Sequence, residues 1–176
     1  MQLTGEQTLP VTKDEAWGAL NDIELLRESM PGCESITAVG DNDYEVLFTA
    51  AVGPVKAKFK GRLKLKDLAP PNAYTIEFEG QGGAAGHGKG RAEVKLETAG
   101  PGATLLRYGV NASVGGKVAQ VGSRLVDMAA QKMANDFFAN FGAKLRERQA
   151  PAAPPAAEEP HKLFARLWRR LCRIFS

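Results

Sequence analysis

From Val55 to Lys66 the chain alternates without a break, with Val55, Ala57, Phe59, Gly61, Leu63 and Leu65 on one parity and Lys56, Lys58, Lys60, Arg62, Lys64 and Lys66 on the other. A period of two belongs to a β-strand, whose successive side chains leave on opposite faces; a helix would scatter both sets around its axis. The chain must therefore build a sheet with one dry and one wet face, which is the habit of antiparallel sheets. The lysine face is first of all a solvated outer surface. Its second reading is a docking surface for an acidic partner or a membrane.

Other segments obey the same period. Residues 2–9 alternate weakly as a first strand. Tyr44, Val46, Phe48, Ala50 and Val52 share one face, as do Tyr74, Ile76 and Phe78, then Ala92, Val94 and Leu96, then Thr104, Leu106, Tyr108, Val110 and Ala112. The turn signals Val52-Gly-Pro54, Pro70-Pro-Asn72 and Ala99-Gly-Pro-Gly102 are short enough to join neighbours as hairpins. Ahead of these runs, Val11–Leu20 reads as a short helix capped by Thr12, with Glu15 three residues on completing a capping box. A second helical piece, Asp22 to Ser29, ends where Pro31 and Gly32 turn the chain. After Gly115-Gly116 a helix is predicted over residues 117–148. Val118, Val121, Leu125, Met128, Ala129, Met133, Phe137, Phe141 and Leu145 recur at steps of three and four, a stripe long enough to cross the dry face. One sheet wrapped around one long helix is an α+β domain, and this element order is that of the helix-grip fold.

The closing residues have a different character. At about 100° per residue, Leu163, Phe164, Leu167, Trp168, Leu171, Ile174 and Phe175 fall on one helical arc, and Lys162, Arg166, Arg169, Arg170 and Arg173 on the other. A basic amphipathic helix over 161–176 suits the headgroup layer of an anionic membrane. A second reading docks it on a protein groove. Residues 150–160, rich in Pro and Ala, read as a flexible linker, so the domain proper is 1–149. Charge separates the parts: residues 151–176 hold five Lys/Arg and two Glu, which accounts for the whole net charge of +3 and leaves 18 basic and 18 acidic residues before them. The neutral body argues against nucleic acid as a partner. Cys172 borders the apolar arc, as a small filler or an acylation site.

Chemistry-bearing motifs are sparse. Gly80–Gly90 contains a G-x-G-x-x-A match at Gly80, Gly82 and Ala85, but a strand follows where phosphate binding needs a helix N-terminus. The stretch reads as a mobile loop, with His87 as a gate that could hydrogen-bond a polar headgroup. No nucleophile elbow, zinc motif or Cys-x-x-Cys pair occurs, so no catalytic set and no metal are expected. Cys33 and Cys172 suggest no disulfide framework and fit a reducing compartment. The N-terminus carries no secretory pattern, and no run approaches the roughly 20 apolar residues that span a bilayer.

Four segments together resemble the carbon monoxide dehydrogenase G-subunit family of the Bet v 1/START-like (SRPBCC) superfamily. They are Met30-Pro-Gly-Cys-Glu34, Val52-Gly-Pro-Val-Lys-Ala-Lys-Phe-Lys-Gly-Arg62, the Gly80–Gly90 stretch, and Val114-Gly-Gly-Lys-Val-Ala-Gln-Val-Gly-Ser-Arg-Leu125 running into Phe137-Phe138. The resemblance covers about residues 1–147. It implies a non-catalytic accessory of a molybdenum-containing carbon monoxide dehydrogenase or related molybdenum hydroxylase. Such an accessory would hold a lipophilic ligand between sheet and helix, here a respiratory quinone (menaquinone or ubiquinone) delivered as electron acceptor. With the tail, it implies a peripheral protein on the cytoplasmic face of the cell membrane. From strand phase and helix stripe, the expected cavity residues are Phe48, Phe59, Ile76, Phe78, Tyr108, Val121, Leu125, Met128 and Met133. Two other roles remain open, a ligand-free recruitment adaptor and an assembly factor for the metal centre.

Overall fold

A computed structural model describes residues 1–150 of the chain. The expected linker from Pro151 onward and the helix expected over 161–176, with its proposed membrane-binding residues, lie outside the described residues. In chain order the elements are β1 (Gln2–Leu9), α1 (Lys13–Leu20), α2 (Ile23–Ser29), β2 (Cys33–Gly40), β3 (Asp43–Val52), β4 (Val55–Ala69), β5 (Ala73–Gln81), β6 (His87–Gly100), β7 (Ala103–Gly115), α3 (Lys117–Gln120) and α4 (Ser123–Gln149). The strands form one antiparallel sheet in the order β1-β7-β6-β5-β4-β3-β2. Every neighbouring pair except β1–β7 is joined by a short turn. β1 crosses from one edge and α1–α2 carry the chain to the other, which lets the sheet curl around α4.

Three details depart from the sequence expectation. Cys33–Gly40 forms a seventh strand at the sheet edge, where little is buried beyond its first half. The long helix is broken: Gly122, at φ +97, separates α3 from α4, because that backbone conformation suits glycine and ends the first turn. Much of the glycine-rich stretch is strand. Gln81 pairs with His87 and Gly80 with Gly88, leaving only Gly82–Gly86 between β5 and β6, with one 3₁₀ turn at Gly83–Ala85.

The expected caps are present. The Glu15 amide donates to the Thr12 hydroxyl, and the Glu15 carboxylate accepts from the Thr12 amide at 2.8 Å. Asp22 caps α2 by accepting from the Leu25 amide at 3.1 Å. The main core lies at one end of the molecule, where Leu9, Leu25, Leu106, Phe141 and Leu145 are almost wholly buried. Ser29, also fully buried, donates to the Leu25 carbonyl at 2.6 Å, and its own carbonyl accepts from Asn140 at 3.1 Å, tying α2 to α4. A second, smaller cluster of Ala85, Val118 and Val126 gathers Met1, Val52, Val55, Phe59, Val114 and Val121 at the other end.

On the outer face the β4 cations find acids on neighbouring strands. Lys58 pairs with Glu34, Lys60 with Glu45, Arg62 and Lys64 with Asp43, and Lys66 with Glu77. These exposed cross-strand pairs contribute little stability singly. Their consequence is electrostatic, since most of the lysine face is neutralised in place.

Candidate functional site

The curl of the sheet does not close completely on α4. Where α2 packs against the lower half of that helix, a cavity of about 280 Å³ remains. Its floor is the inner face of the sheet, including Leu63, Leu65, Ile76, Val94, Leu106 and Val110; α2 and its flanks add Leu20, Ile23, Leu26 and Met30, and α4 adds Ala134, Phe137 and Phe138. Inner-face position follows from strand phase, so the alternation that makes these strands also lines the cavity.

Polar groups enter this wall at four residues, Asn21, Tyr44, Tyr74 and Tyr108. The chain has three tyrosines, and all of them line the cavity. Each belongs to the inner parity of its strand. Tyr108 stacks on Phe138 with ring centroids 5.2 Å apart and crosses Gly5 of β1, where a Cβ would meet its hydroxyl at 2.4 Å. Tyr74 is held edge-on by Trp17 at 5.5 Å, and burial pushes its phenol above the ordinary range, so it stays a protonated donor. Among the described residues none of the three hydroxyls has a hydrogen-bond partner, and no buried side-chain polar atom is stranded without one. The Asn21 amide nitrogen donates to the Trp17 carbonyl at 2.8 Å, which leaves its oxygen as an acceptor. The cavity is thus an almost wholly apolar chamber with three tyrosines among its lining residues, suited to an apolar small molecule.

Of the residues expected around a ligand, Ile76 and Tyr108 line this cavity. The others lie elsewhere. Phe48 and Phe59 stack on each other at 5.6 Å further along the sheet, and Phe59 and Val121 join the smaller cluster. The Phe78 ring crosses Gly90, where a Cβ would approach it to 2.7 Å. Leu125 and Met128 are 38% and 59% exposed, and Met133 is half-buried outside the cavity wall. His87 begins β6 on the parity of Lys89 and Arg91, and its ring lies over Gly115, so it occupies the sheet face opposite the cavity. Strand phase and the long-helix stripe do not reach the wall contributed by α2. A signal for it exists, since Ile23, Leu26 and Met30 recur at helical spacing.

Among the described residues no cluster of His, Cys, Asp or Glu could hold a metal ion, and no helix is long and apolar enough to cross a membrane. Cys33 is half-buried, and burial raises its thiol above the ordinary range.

Comparison with known proteins agrees with this fold. The profile of CoxG, the G-subunit family of carbon monoxide dehydrogenase, matches residues 5–146. No curated protein matches the chain. Among solved structures, a conserved protein from Geobacillus kaustophilus is similar at 28% identity with a TM-score of 0.79, the match covering 84% of this chain and 96% of that one. A START superfamily protein from Mycobacterium smegmatis (12% identity, TM-score 0.64, covering 83% and 97%) shares the fold. So does the Zhui aromatase/cyclase from Streptomyces sp. R1128 (13%, 0.65, 88% and 99%). The architecture is the Bet v 1/START-like helix-grip fold.

Proposed function

The chain belongs to the carbon monoxide dehydrogenase G-subunit (CoxG) family, and on that premise we propose that it is a non-catalytic accessory protein that carries a respiratory quinone, menaquinone or ubiquinone, between the membrane and a molybdenum-containing carbon monoxide dehydrogenase. The observation that carries the reading is the cavity, apolar throughout except for Asn21 and the three tyrosines. A quinone is an apolar ring with two carbonyl acceptors, and phenol donors on an apolar wall complement it. Size supports the same assignment. At about 280 Å³ the cavity sits at the lower edge of small-molecule sites, which run from about 300 to 1,000 Å³. It fits a ring headgroup, and a long prenyl chain would have to continue beyond it.

In this role the chain binds, orients and shields. Ile76, Val94, Leu106 and Phe137 exclude water from the ring, and Tyr44, Tyr74 and Tyr108 fix its orientation by donating to carbonyl oxygens. A bound quinone supplies the electron-accepting chemistry, and the electrons come from the partner enzyme. Such a role asks for no catalytic acid or base from this chain. The basic amphipathic sequence of 161–176 supports membrane attachment at the cytoplasmic face.

The deciding measurement is organic extraction of the full chain purified from membranes, followed by mass spectrometry, with added quinone as a second arm. A stoichiometric quinone supports the carrier. Absence of quinone together with no binding of added quinone would refute it and leave a ligand-free recruitment adaptor. A deletion strain whose dehydrogenase lacked its metal centre would point to an assembly factor.

A further inference from the structure

The smaller hydrophobic cluster gathers three segments at one tip of the body: the β3–β4 turn, the Gly83–Ala85 turn, and the α3–α4 junction. Their tight approach is built into the backbone. At Gly86 (φ +116) a Cβ would meet the Gly115 carbonyl oxygen at 2.0 Å, so only glycine lets this turn close on the end of β7. Above the cluster lies an apolar surface. Met128 is 59% exposed and Leu125 38%, two of the four large hydrophobic side chains exposed among the described residues, and Leu125 reaches to 3.1 Å of a Cβ placed on Gly53. Gly53 and Pro54 of the turn are exposed beside them.

The charge around this surface is one-sided. Residues 50–57, 82–90 and 114–128, which build the tip, contain Lys56, Lys89, Lys117 and Arg124 against the single acid Asp127. Among the described residues none of these four cations forms an ion pair, whereas Lys58 through Lys66 on the sheet are all paired. Exposed apolar side chains on segments that carry uncompensated cations complement an anionic lipid surface: the apolar groups enter the headgroup layer and the cations meet phosphate.

We propose that this tip, with Met128 and Leu125 as its apolar contact and Lys56, Lys117 and Arg124 as its cationic rim, is a second membrane-contact surface on the folded body. The inference rests on the membrane attachment proposed above. It adds that the body itself docks rather than merely trailing from the tail. The tip contact is small, and it gains strength because a tail held in the same bilayer makes it intramolecular.

The test uses the full chain with vesicles of phosphatidylglycerol and phosphatidylcholine in equal parts, and with phosphatidylcholine alone. Leu125→Glu/Met128→Glu and Lys117→Glu/Arg124→Glu are expected to lower partitioning onto the anionic vesicles by about tenfold. Met128→Glu alone, at a largely exposed side chain, separates this loss from misfolding, as does an unchanged thermal melt. A polarity-sensitive fluorophore at Met128→Cys, in a Cys33→Ser, Cys172→Ser chain, should shift to the blue on anionic vesicles and be quenched by spin-labelled lipid. If the tip variants partition like the parent and the label stays in water while reversal of Arg166, Arg169, Arg170 and Arg173 to Glu abolishes binding, the tip is refuted and the tail anchor stands. If neither tip nor tail variants change partitioning, both readings fall. A label shifted by the dehydrogenase but not by vesicles makes the tip a protein-docking site and overturns the membrane assignment.

Discussion

Arg148, in the last turn of α4, donates from Nη1 to Oδ2 of Asp22 at 2.8 Å, and the other carboxylate oxygen of Asp22 accepts from the Leu25 amide. One carboxylate thus caps α2 and fastens it to the end of the long helix. The Arg148 hydrogen bond, followed by that of Leu25, holds the Asp22 carboxyl below its usual range. A depressed folded-state value means that the group stabilises the fold above its ordinary range and that this contribution is lost as pH falls through the folded value. Asp22→Ala should cost about 1 kcal/mol at neutral pH, the usual cost of losing a cap. Asp22→Asn should keep most of the cap and remove part of the acid sensitivity. Urea titrations at pH 7 and pH 3 check this; an unchanged acid limb in Asp22→Asn would show that other carboxylates govern it.

Helix α2 is also a wall of the cavity, and most of that wall is legible as apolar spacing in Ile23, Leu26 and Met30. Strand phase is legible from Val55 to Leu65 because polar and apolar residues alternate there without exception. What alternation cannot give is position along the strand. Phe48, Phe59 and Phe78 share the inner parity with Tyr44, Leu63 and Ile76, yet only the second set lines the cavity. β2 is hidden in the sequence because an edge strand with few buried residues, Ile36 chief among those facing the cavity, needs no sustained alternation. The break at Gly122 is hidden because Val118 and Val126 keep a helical rhythm across it, both being buried in the same cluster.

The tyrosines give the sharpest ligand prediction. Tyr44→Phe, Tyr74→Phe and Tyr108→Phe should each leave thermal stability nearly unchanged, because no intramolecular hydrogen bond is lost. Any of them that contacts the headgroup should weaken quinone affinity about 2- to 10-fold, the worth of one hydrogen bond. Ala134→Phe should fill the chamber and abolish binding with the fold retained. Titration with a short-chain quinone, followed by quenching of intrinsic fluorescence, reads both effects. Full affinity in Ala134→Phe would place the ligand elsewhere.

Gly82 tests the packing that ties the tip to the sheet. A Cβ there would lie 2.5 Å from the Phe59 ring, so Gly82→Ala forces the ring aside. The expected loss is about 1–3 kcal/mol, the cost of overpacking. Phe59→Leu in the same chain should recover part of it, giving a double-mutant cycle that is clearly non-additive. Additive losses would mean that the two residues do not press on each other.

Removing residues 161–176 should move the protein from the membrane fraction to the soluble fraction, with the near-ultraviolet spectrum of the body unchanged. Reversal of Arg166, Arg169, Arg170 and Arg173 to Glu should act almost as strongly. Retention of both variants on membranes would refute the tail as anchor.

The length of α4 sets a geometric limit on attachment at two points. Its 27 residues, rising about 1.5 Å each, put roughly 37 Å between Leu125 near its start and the point where the chain leaves its end. Eleven residues from 150 to 160, drawn out fully, reach at most about 36–40 Å. The helix is therefore a ruler laid against the linker. A body standing upright on its tip would stretch the tether to its limit, so contact at both ends favours a body reclining on the bilayer. Each residue taken out of the linker should narrow the range of tilts in which a single molecule can grip the membrane twice.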